Sequence, residues 1–188
     1  MGIEIIWRSQ QGKRTEDNRD YCGIGLRRNE ALCIVLDGFT KGTKGGKLSR
    51  EIACALIDWF VDDSVRITEQ ILIERLRQIH ENLSKKFPKD SASYIIIHIE
   101  DGQSVLVLHA GDCLLALYDG KHPTQWQTQP HTLANFDKVV PIDELLRDAA
   151  RNRLTRSFKN FFLAHTVTGY IFIAFRDTAI NTITMAII

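Results

Sequence analysis

The chain has 188 residues, of which 24 are basic and 23 acidic, so its formal net charge is +1. Hydrophobic residues make up 44% and charged residues 25%, which is typical of a globular protein and excludes a disordered or collagen-like chain. The longest apolar runs are too short to span a bilayer, and the near-neutral charge excludes strong general attraction to nucleic acid. At this length we expect one domain covering residues 1–188.

The N-terminus and the cysteines both predict a cytoplasmic protein. Glu4 interrupts the brief apolar stretch at the N-terminus, and no small-residue cleavage site follows, so a secretory signal is not expected. Cys22, Cys33, Cys54 and Cys113 are widely spaced and show no zinc-ligand pattern. We therefore expect reduced thiols in the core.

The first half of the chain predicts one buried strand and two helices. Residues 31–36 form an apolar run that stops at Asp37 and Gly38, as a buried strand ending in a loop would. After a glycine-rich loop, apolar residues recur at steps of three and four from Lys47, which predicts an amphipathic helix. A second helical stripe covers 72–87 after an N-cap at Thr68.

The second half is richer in strand patterns. Residues 93–99, 104–109 and 113–118 predict an antiparallel meander. A short helical stripe covers 142–149, and two β-rich runs at 170–175 and 182–188 end the chain. Strands and helices come in separate blocks, which favours α+β layers over a doubly wound parallel sheet.

The loop at residues 40–49 is glycine-rich and joins a strand to a helix, as a nucleotide-binding P-loop does. It does not match that motif, because Lys41 stands where the first glycine is needed and Leu48 stands where Ser or Thr is needed. Its lysines, Lys41, Lys44 and Lys47, are either a solvated basic loop or a local attraction for a phosphorylated substrate.

Three aspartates lie beside predicted strands. Asp37 follows residues 31–36, Asp177 follows 170–175, and Asp20 comes after an N-terminal strand. Carboxylates that converge at strand ends repel unless a cation lies between them, and oxygen ligands suit Mg²⁺ or Mn²⁺. Each aspartate alone could simply open a turn. Their joint order with the motifs below favours a metal site.

Six motifs of the chain, one of them made of two segments, resemble in the correct order the motifs of the metal-dependent protein phosphatases, also called type 2C phosphatases. They are GKRTEDNRDY, VLDGFTKGTKGGKLSREIA, the pair SASYIIIHI and LVLHAGDCLLALYDG, RNRLTRSFKN, GYIFIAFRDTA and NTITMAII. The resemblance covers almost the whole chain. It implies a minimal four-layer αββα sandwich, in which helices flank two antiparallel sheets.

The resemblance also implies a centre holding two Mn²⁺ or Mg²⁺ ions. Asp37 would bridge the ions, and Gly38 would contribute its backbone carbonyl. Arg14 would bind the substrate phosphate, for which a bidentate guanidinium is well suited. Asp20 is the preferred first acidic ligand, with Asp17 as the alternative.

The last two implied ligands are Asp177 and Asn181, and both depart from the family pattern. Thr178 follows Asp177 where the family has glycine, and Asn181 stands where the family has aspartate. An amide offers an oxygen but no charge, so one metal site would be weakened.

Further departures concern the surroundings of the implied centre. Phe39 replaces a histidine that follows the glycine in many members, and Cys113 replaces a serine. Asp112 would be a structural residue of its turn. His98 and His109 would have packing or surface roles, and His131 is a candidate contact.

The enzyme hypothesis is a serine/threonine phosphoprotein phosphatase that hydrolyses a phosphomonoester with a metal-activated water. Its partners would be a phosphorylated protein and a cognate serine/threonine kinase system, with neither nucleic acid nor membrane. One alternative is a phosphatase-fold binding or regulatory module that has lost metal chemistry. Another is an α+β domain whose resemblance is accidental.

Overall fold

The computed structural model describes residues 6–7, 9, 17–39, 44–100, 104–118, 121–151, 153–155, 157–158, 167–171 and 182–187. The elements within these ranges are β1 (Asp20–Arg27), β2 (Glu30–Gly38), α1 (Gly45–Asp62), α2 (Glu69–Ser84), β3 (Ala92–Glu100), β4 (Ser104–Ala110), β5 (Cys113–Tyr118), β6 (Gln125–Trp126), a 3-10 turn (Leu133–Asn135), α3 (Ile142–Leu145), β7 (Val167–Ile171) and β8 (Thr182–Ile187). Among them, no helix has the length and apolar character needed to span a membrane.

The larger sheet has the strand order β1-β2-β3-β4-β7, with antiparallel neighbours throughout. Its central strands β2 and β3 are buried on both faces, which explains why their sequences run apolar without alternation. Ile34 of β2 and its partner Ile96 of β3 are both fully buried. A fully buried side chain of this size contributes about 1.5–3 kcal/mol of hydrophobic stabilisation.

One face of this sheet packs against α1 and α2. The contact is a single apolar cluster formed mainly by Leu32, Ile34, Leu36, Tyr94, Ile96, Leu48, Ile52, Leu56, Phe60, Leu72, Leu76 and Ile79. Helix α2 begins at the predicted cap, because Thr68 Oγ1 accepts a hydrogen bond from the Ile71 amide at 3.3 Å. At the start of α1, the Asp90 carboxylate accepts a hydrogen bond from the Lys44 amide at 2.9 Å.

The other face of the larger sheet packs against the smaller sheet, whose strand order is β6-β5-β8. Val35, Ile95 and Val107 meet Cys113 and Leu115 of β5 in this second cluster. On the outer side of β5, Leu114 packs against three residues of the following segment: Val140, Ile142 and Leu145. The predicted α+β sandwich of two antiparallel sheets flanked by helices is therefore confirmed, with a short outer helical layer in the described part of the chain.

The structure corrects three details of the expectation. Strand β5 does not continue a meander from β4, because it pairs with β6 and β8 in the other sheet. The helix after Pro141 covers only Ile142–Leu145. Cys33 and Cys113 are buried free thiols as expected, whereas Cys54 is exposed.

Candidate metal centre

The pairing of β1 with β2 brings Asp20 and Asp37 together. Asp20 is the first residue of β1, and it lies directly opposite Asp37 near the end of β2. The N-terminal strand expected before it falls largely outside the described residues. Asp37 is in turn opposite Ser93 of β3. Residues directly opposite each other share a face of an antiparallel sheet, so these three side chains lie together. They share the face that packs against the smaller sheet, because Val35 on the same face belongs to the cluster between the sheets.

Gly38 permits a very close approach between the end of β2 and the start of α1. A Cβ placed on Gly38 would lie 2.6 Å from the backbone carbonyl carbon and oxygen of Gly45. The Gly38 amide donates to the Arg19 carbonyl at 3.1 Å, and the Phe39 amide donates to the Ser91 carbonyl at 2.9 Å. The Asp37-Gly38 junction is therefore held from both neighbouring strands and requires glycine.

The turn between β4 and β5 brings a third carboxylate to the same place. Gly111 has φ +94, a left-handed conformation that favours glycine, and a Cβ there would lie 2.1 Å from Ser93 Oγ. The next amide, that of Asp112, donates to Ser93 Oγ at 3.5 Å. Asp112 Oδ1 is buried and has no hydrogen-bond partner among the described atoms. Buried polar atoms normally have a partner, so this oxygen is suited to binding a ligand from outside the protein.

The electrostatics of the three carboxylates point the same way. Burial raises the pKa of Asp37 to about 7, with further contributions from the negative charges of Asp112 and Asp20. Burial also raises the pKa of Asp20 and that of Asp112. Ionisation of such carboxylates is unfavourable when no cation is near, and it becomes favourable when a bound cation neutralises their charge. The three aspartates therefore form an acidic cleft between the sheets, and we use that name for them below.

Cys113 lies at the inner wall of the acidic cleft. It is fully buried, and burial together with the nearby charges of Asp112 and Asp37 raises the pKa of its thiol well above the ordinary value. A thiol of this kind is a poor nucleophile, because the thiolate is the reactive form.

The acidic cleft fits a hard divalent cation in its ligand type but supplies only part of a coordination sphere. Carboxylate oxygens are the donors that Mg²⁺ and Mn²⁺ prefer. Within the described ranges, no three His, Cys, Asp or Glu side chains are grouped closely enough to hold one ion. Arg14, Asp177 and Asn181, the other residues expected at the site, lie outside the described residues.

Asp17 and Asp20, the two alternatives for the first acidic ligand, have different surroundings. Asp17 forms an exposed ion pair with Arg19, at 3.0 Å between Asp17 Oδ1 and Arg19 Nε. Arg19 also donates from Nη1 to the Phe39 carbonyl at 3.0 Å. Only Asp20 lies opposite Asp37.

Sequence reasoning missed the contribution of Asp112 to the acidic cleft. The sequence predicts only a structural role for this residue in its turn, and its proximity to Asp37 arises because the turn folds over Ser93. The sequence feature that could have indicated this contribution was the Gly-Asp pair directly before β5. The ring of His109 stacks on that of His131, with centroids 4.5 Å apart, a contact that spacing alone does not predict.

The basic loop before α1 is described only from Lys44 onward, and Lys41 lies outside the described residues. The Lys44 backbone is engaged with Asp90, as noted above. Both interpretations of this loop therefore stay open.

No protein-family model and no curated protein sequence matches the chain. Solved structures do match. A bacterial serine phosphatase is 17% identical, with a TM-score of 0.68 over 79% of this chain and 65% of that chain. The serine/threonine phosphatase Stp1 from Staphylococcus aureus is 16% identical, with a TM-score of 0.71 over 86% of this chain and 67% of that one. The serine/threonine phosphatase PstP/Ppp from Mycobacterium tuberculosis is 17% identical, with a TM-score of 0.70 over 87% and 71%.

These identities show a shared fold and no more. The chain spans 65% of the length of the first of these structures. Stp1 and PstP/Ppp are described as serine/threonine phosphatases, and a further match, MsPP from Mycobacterium smegmatis, is described as a PPM Ser-Thr phosphatase. The chain therefore shares the fold of these serine/threonine phosphatases.

Proposed function

We propose that this chain is a metal-dependent serine/threonine phosphoprotein phosphatase. The observation that carries the proposal is Asp37, a half-buried carboxyl that lies opposite Asp20, is close to Asp112, and has a pKa raised to about 7. That arrangement is costly unless a cation neutralises it. The likeness of the fold to serine/threonine phosphatases supports the same conclusion.

The chain offers a definite set of residues for two Mn²⁺ or Mg²⁺ ions. Asp37, Asp20 and the Gly38 carbonyl would hold the ions, and Asp177 and Asn181 would complete the set. When bound, such ions lower the pKa of a water molecule and offset the charge of the phosphoryl group.

The protein itself has two tasks in this reaction. Asp37 must lose its proton to act as a ligand, and its raised pKa places that loss near neutral pH. Arg14 would bind two phosphate oxygens at once and orient the phosphorus for attack. No side-chain nucleophile is needed, in keeping with the buried thiol of Cys113. The substrate would be a cytoplasmic protein phosphorylated by a cognate kinase.

The proposal is tested by Mn²⁺-dependent hydrolysis of an aryl phosphate. We expect Asp37→Asn to lower kcat by at least about 100-fold, because it removes a charge that the centre needs. Asp58→Asn is the matched control, since Asp58 is an exposed aspartate on α1. Equal rates for wild type and Asp37→Asn would overturn the proposal.

A second candidate is a binding or regulatory module with the same fold and no hydrolysis. It is favoured by Asn181, which lacks the charge of an aspartate, and by Phe39, which cannot transfer a proton. Calorimetric titration with Mn²⁺ separates the two. A folded protein that binds no Mn²⁺ at millimolar concentration is the result that favours the module.

A further inference from the structure

His131 is bonded to the turn that carries Asp112. Its backbone amide donates to the Gly111 carbonyl at 2.7 Å, and its Nδ1 accepts a hydrogen bond from the Gly111 amide at 3.3 Å. The second bond requires Nδ1 to be unprotonated. The carbonyl of His131 accepts from the Thr155 amide at 2.8 Å, which anchors the residue from its other side. His131 is thus hydrogen-bonded to both the amide and the carbonyl of Gly111.

The ring of His131 is itself fixed by a second histidine. It stacks on His109 with an interplanar angle of 10° and centroids 4.5 Å apart. His109 is 4% exposed and lies opposite Ile95 of β3. The stack therefore involves a buried residue of the larger sheet.

The turn to which His131 is hydrogen-bonded packs closely against Ser93. Gly111 has φ +94, and it is pressed against Ser93, the residue directly opposite Asp37. A shift of Gly111 would move Asp112, because the two are consecutive and the Asp112 amide bonds to the same Ser93 hydroxyl. Contacts thus run without a gap from His131 through the turn and Ser93 to Asp37.

We propose that His131 is a positioning residue of the acidic cleft: it holds the Gly111-Asp112 turn so that the Asp112 carboxylate faces Asp37, and it thereby strengthens the binding of a divalent cation. This inference rests on the proposed metal centre. Residues that orient the charged groups around a metal typically change its affinity by about 10- to 100-fold when they are replaced.

Three substitutions of His131 separate the hydrogen bond from the stacking. His131→Asn keeps an acceptor at the place of Nδ1, His131→Phe keeps the ring and removes the acceptor, and His131→Ala removes both. Calorimetry with Mn²⁺ should show affinity lowered about 10-fold in His131→Phe and in His131→Ala, and restored to within about 3-fold of wild type in His131→Asn. His122→Phe, at an exposed histidine, is the matched control and should bind as wild type does.

Two further measurements distinguish positioning from a general loss of structure. The Gly111 amide should exchange with solvent at least about 10-fold faster in His131→Phe than in wild type or His131→Asn, because its acceptor is gone. In an Asp112→Asn background, His131→Phe should change Mn²⁺ affinity by less than about 2-fold, since the effect passes through Asp112.

Unchanged affinity in His131→Phe, a loss in His131→Asn as large as that in His131→Phe, or a full loss in the Asp112→Asn background would each overturn the inference. If Mn²⁺ binding follows the expected pattern and wild type hydrolyses no phosphate ester, the proposed function fails and the inference stands. If wild type binds no Mn²⁺, both are overturned.

Discussion

Asp20 and Asp37 lie directly opposite each other on adjacent antiparallel strands, so two carboxylates share one face at one end of the larger sheet. Like charges in this relationship destabilise a sheet. Asp112 adds a third negative charge from the neighbouring turn. Ionising all three carboxylates therefore costs stability, and the proposed cation would offset that cost.

The first prediction is that Asp37→Asn stabilises the metal-free protein above neutral pH. The ordinary pKa of this carboxyl is 3.8, and in the folded protein it is about 7. Below about pH 4 it is protonated in both states. Between about pH 4 and pH 7 the unfolded state loses a proton that the folded state keeps, so wild type loses stability that the variant keeps. Above about pH 7 the carboxyl is ionised in both states, and the loss levels off.

We expect a gain of about 1–3 kcal/mol at pH 8 and a smaller one at pH 5, measured by urea unfolding in the presence of a chelator. Asp58→Asn, at an exposed position, should show no such pH-dependent difference. A stability difference between wild type and Asp37→Asn that is the same at both pH values would contradict this account.

The second prediction concerns the pH dependence of Mn²⁺ binding. A ligand carboxyl must lose its proton to bind a metal, so protons compete with Mn²⁺ at Asp37 below its pKa of about 7. Affinity should rise up to about tenfold per pH unit between pH 5.5 and 7, and then level off. Calorimetry at several pH values measures this directly. A flat profile across this range would show that Asp37 is not the group that titrates on binding.

The third prediction is that Gly38→Ala destabilises the fold. The added Cβ would overlap the backbone of Gly45, which no side-chain rotation can relieve. We expect a loss of about 1–3 kcal/mol in the free energy of unfolding. Gly46→Ala is the matched control, because its Cβ would lie no nearer than 3.2 Å to its neighbours. It should change stability by less than about 1 kcal/mol, since alanine is the better helix former. Similar losses in both variants would argue against a special role for Gly38.

The fourth prediction concerns a charged cluster at the opposite end of β2. Glu30 bonds to His98 Nε2 at 3.0 Å and to Arg27 Nη2 at 3.1 Å, with its side chain 20% exposed. Partial burial alone would raise the pKa of Glu30, but the hydrogen bonds from His98 and Arg27 and their charges lower it overall. Its contribution to stability is therefore present above its ordinary pKa and is lost as pH falls through the folded value.

Glu30→Gln should lower the free energy of unfolding by about 1–3 kcal/mol at pH 7 and by less under acid conditions. Mn²⁺ affinity should be unchanged, because Glu30 is seven residues, or about 23 Å, along the strand from Asp37. Glu74→Gln, at an exposed glutamate on α2, is the control and should be neutral. A change of Mn²⁺ affinity in Glu30→Gln would contradict this prediction, because it would show that the Glu30 cluster and the acidic cleft are energetically coupled.

The sequence predicted the elements that depend on residues close to one another in the chain. The Thr68 cap and the apolar stripes of α1 and α2 depend on neighbours within a few residues, and the structure confirms them. Strand β1 was missed because Gly23 and Gly25 weaken its strand pattern. A Cβ on these glycines would lie 2.7 Å from Ile57 and 2.8 Å from Phe60, so both allow α1 to pack closely on the sheet.

What the sequence could not predict depends on distant partners. The placement of β5 in the smaller sheet follows from pairing with β8, which lies more than sixty residues later in the chain. The role of Asp112 likewise depends on a turn that folds over Ser93. Asp37 and Asp20 were found because the motif placed them in order, and their shared face then followed from strand pairing.

The most direct test of the central claim is anomalous X-ray diffraction from a crystal grown with Mn²⁺. We predict two anomalous peaks at the acidic cleft, both within coordination distance of the Asp37 carboxylate. A well-ordered crystal of the folded protein with no peak beside Asp37 at saturating Mn²⁺ would contradict the account.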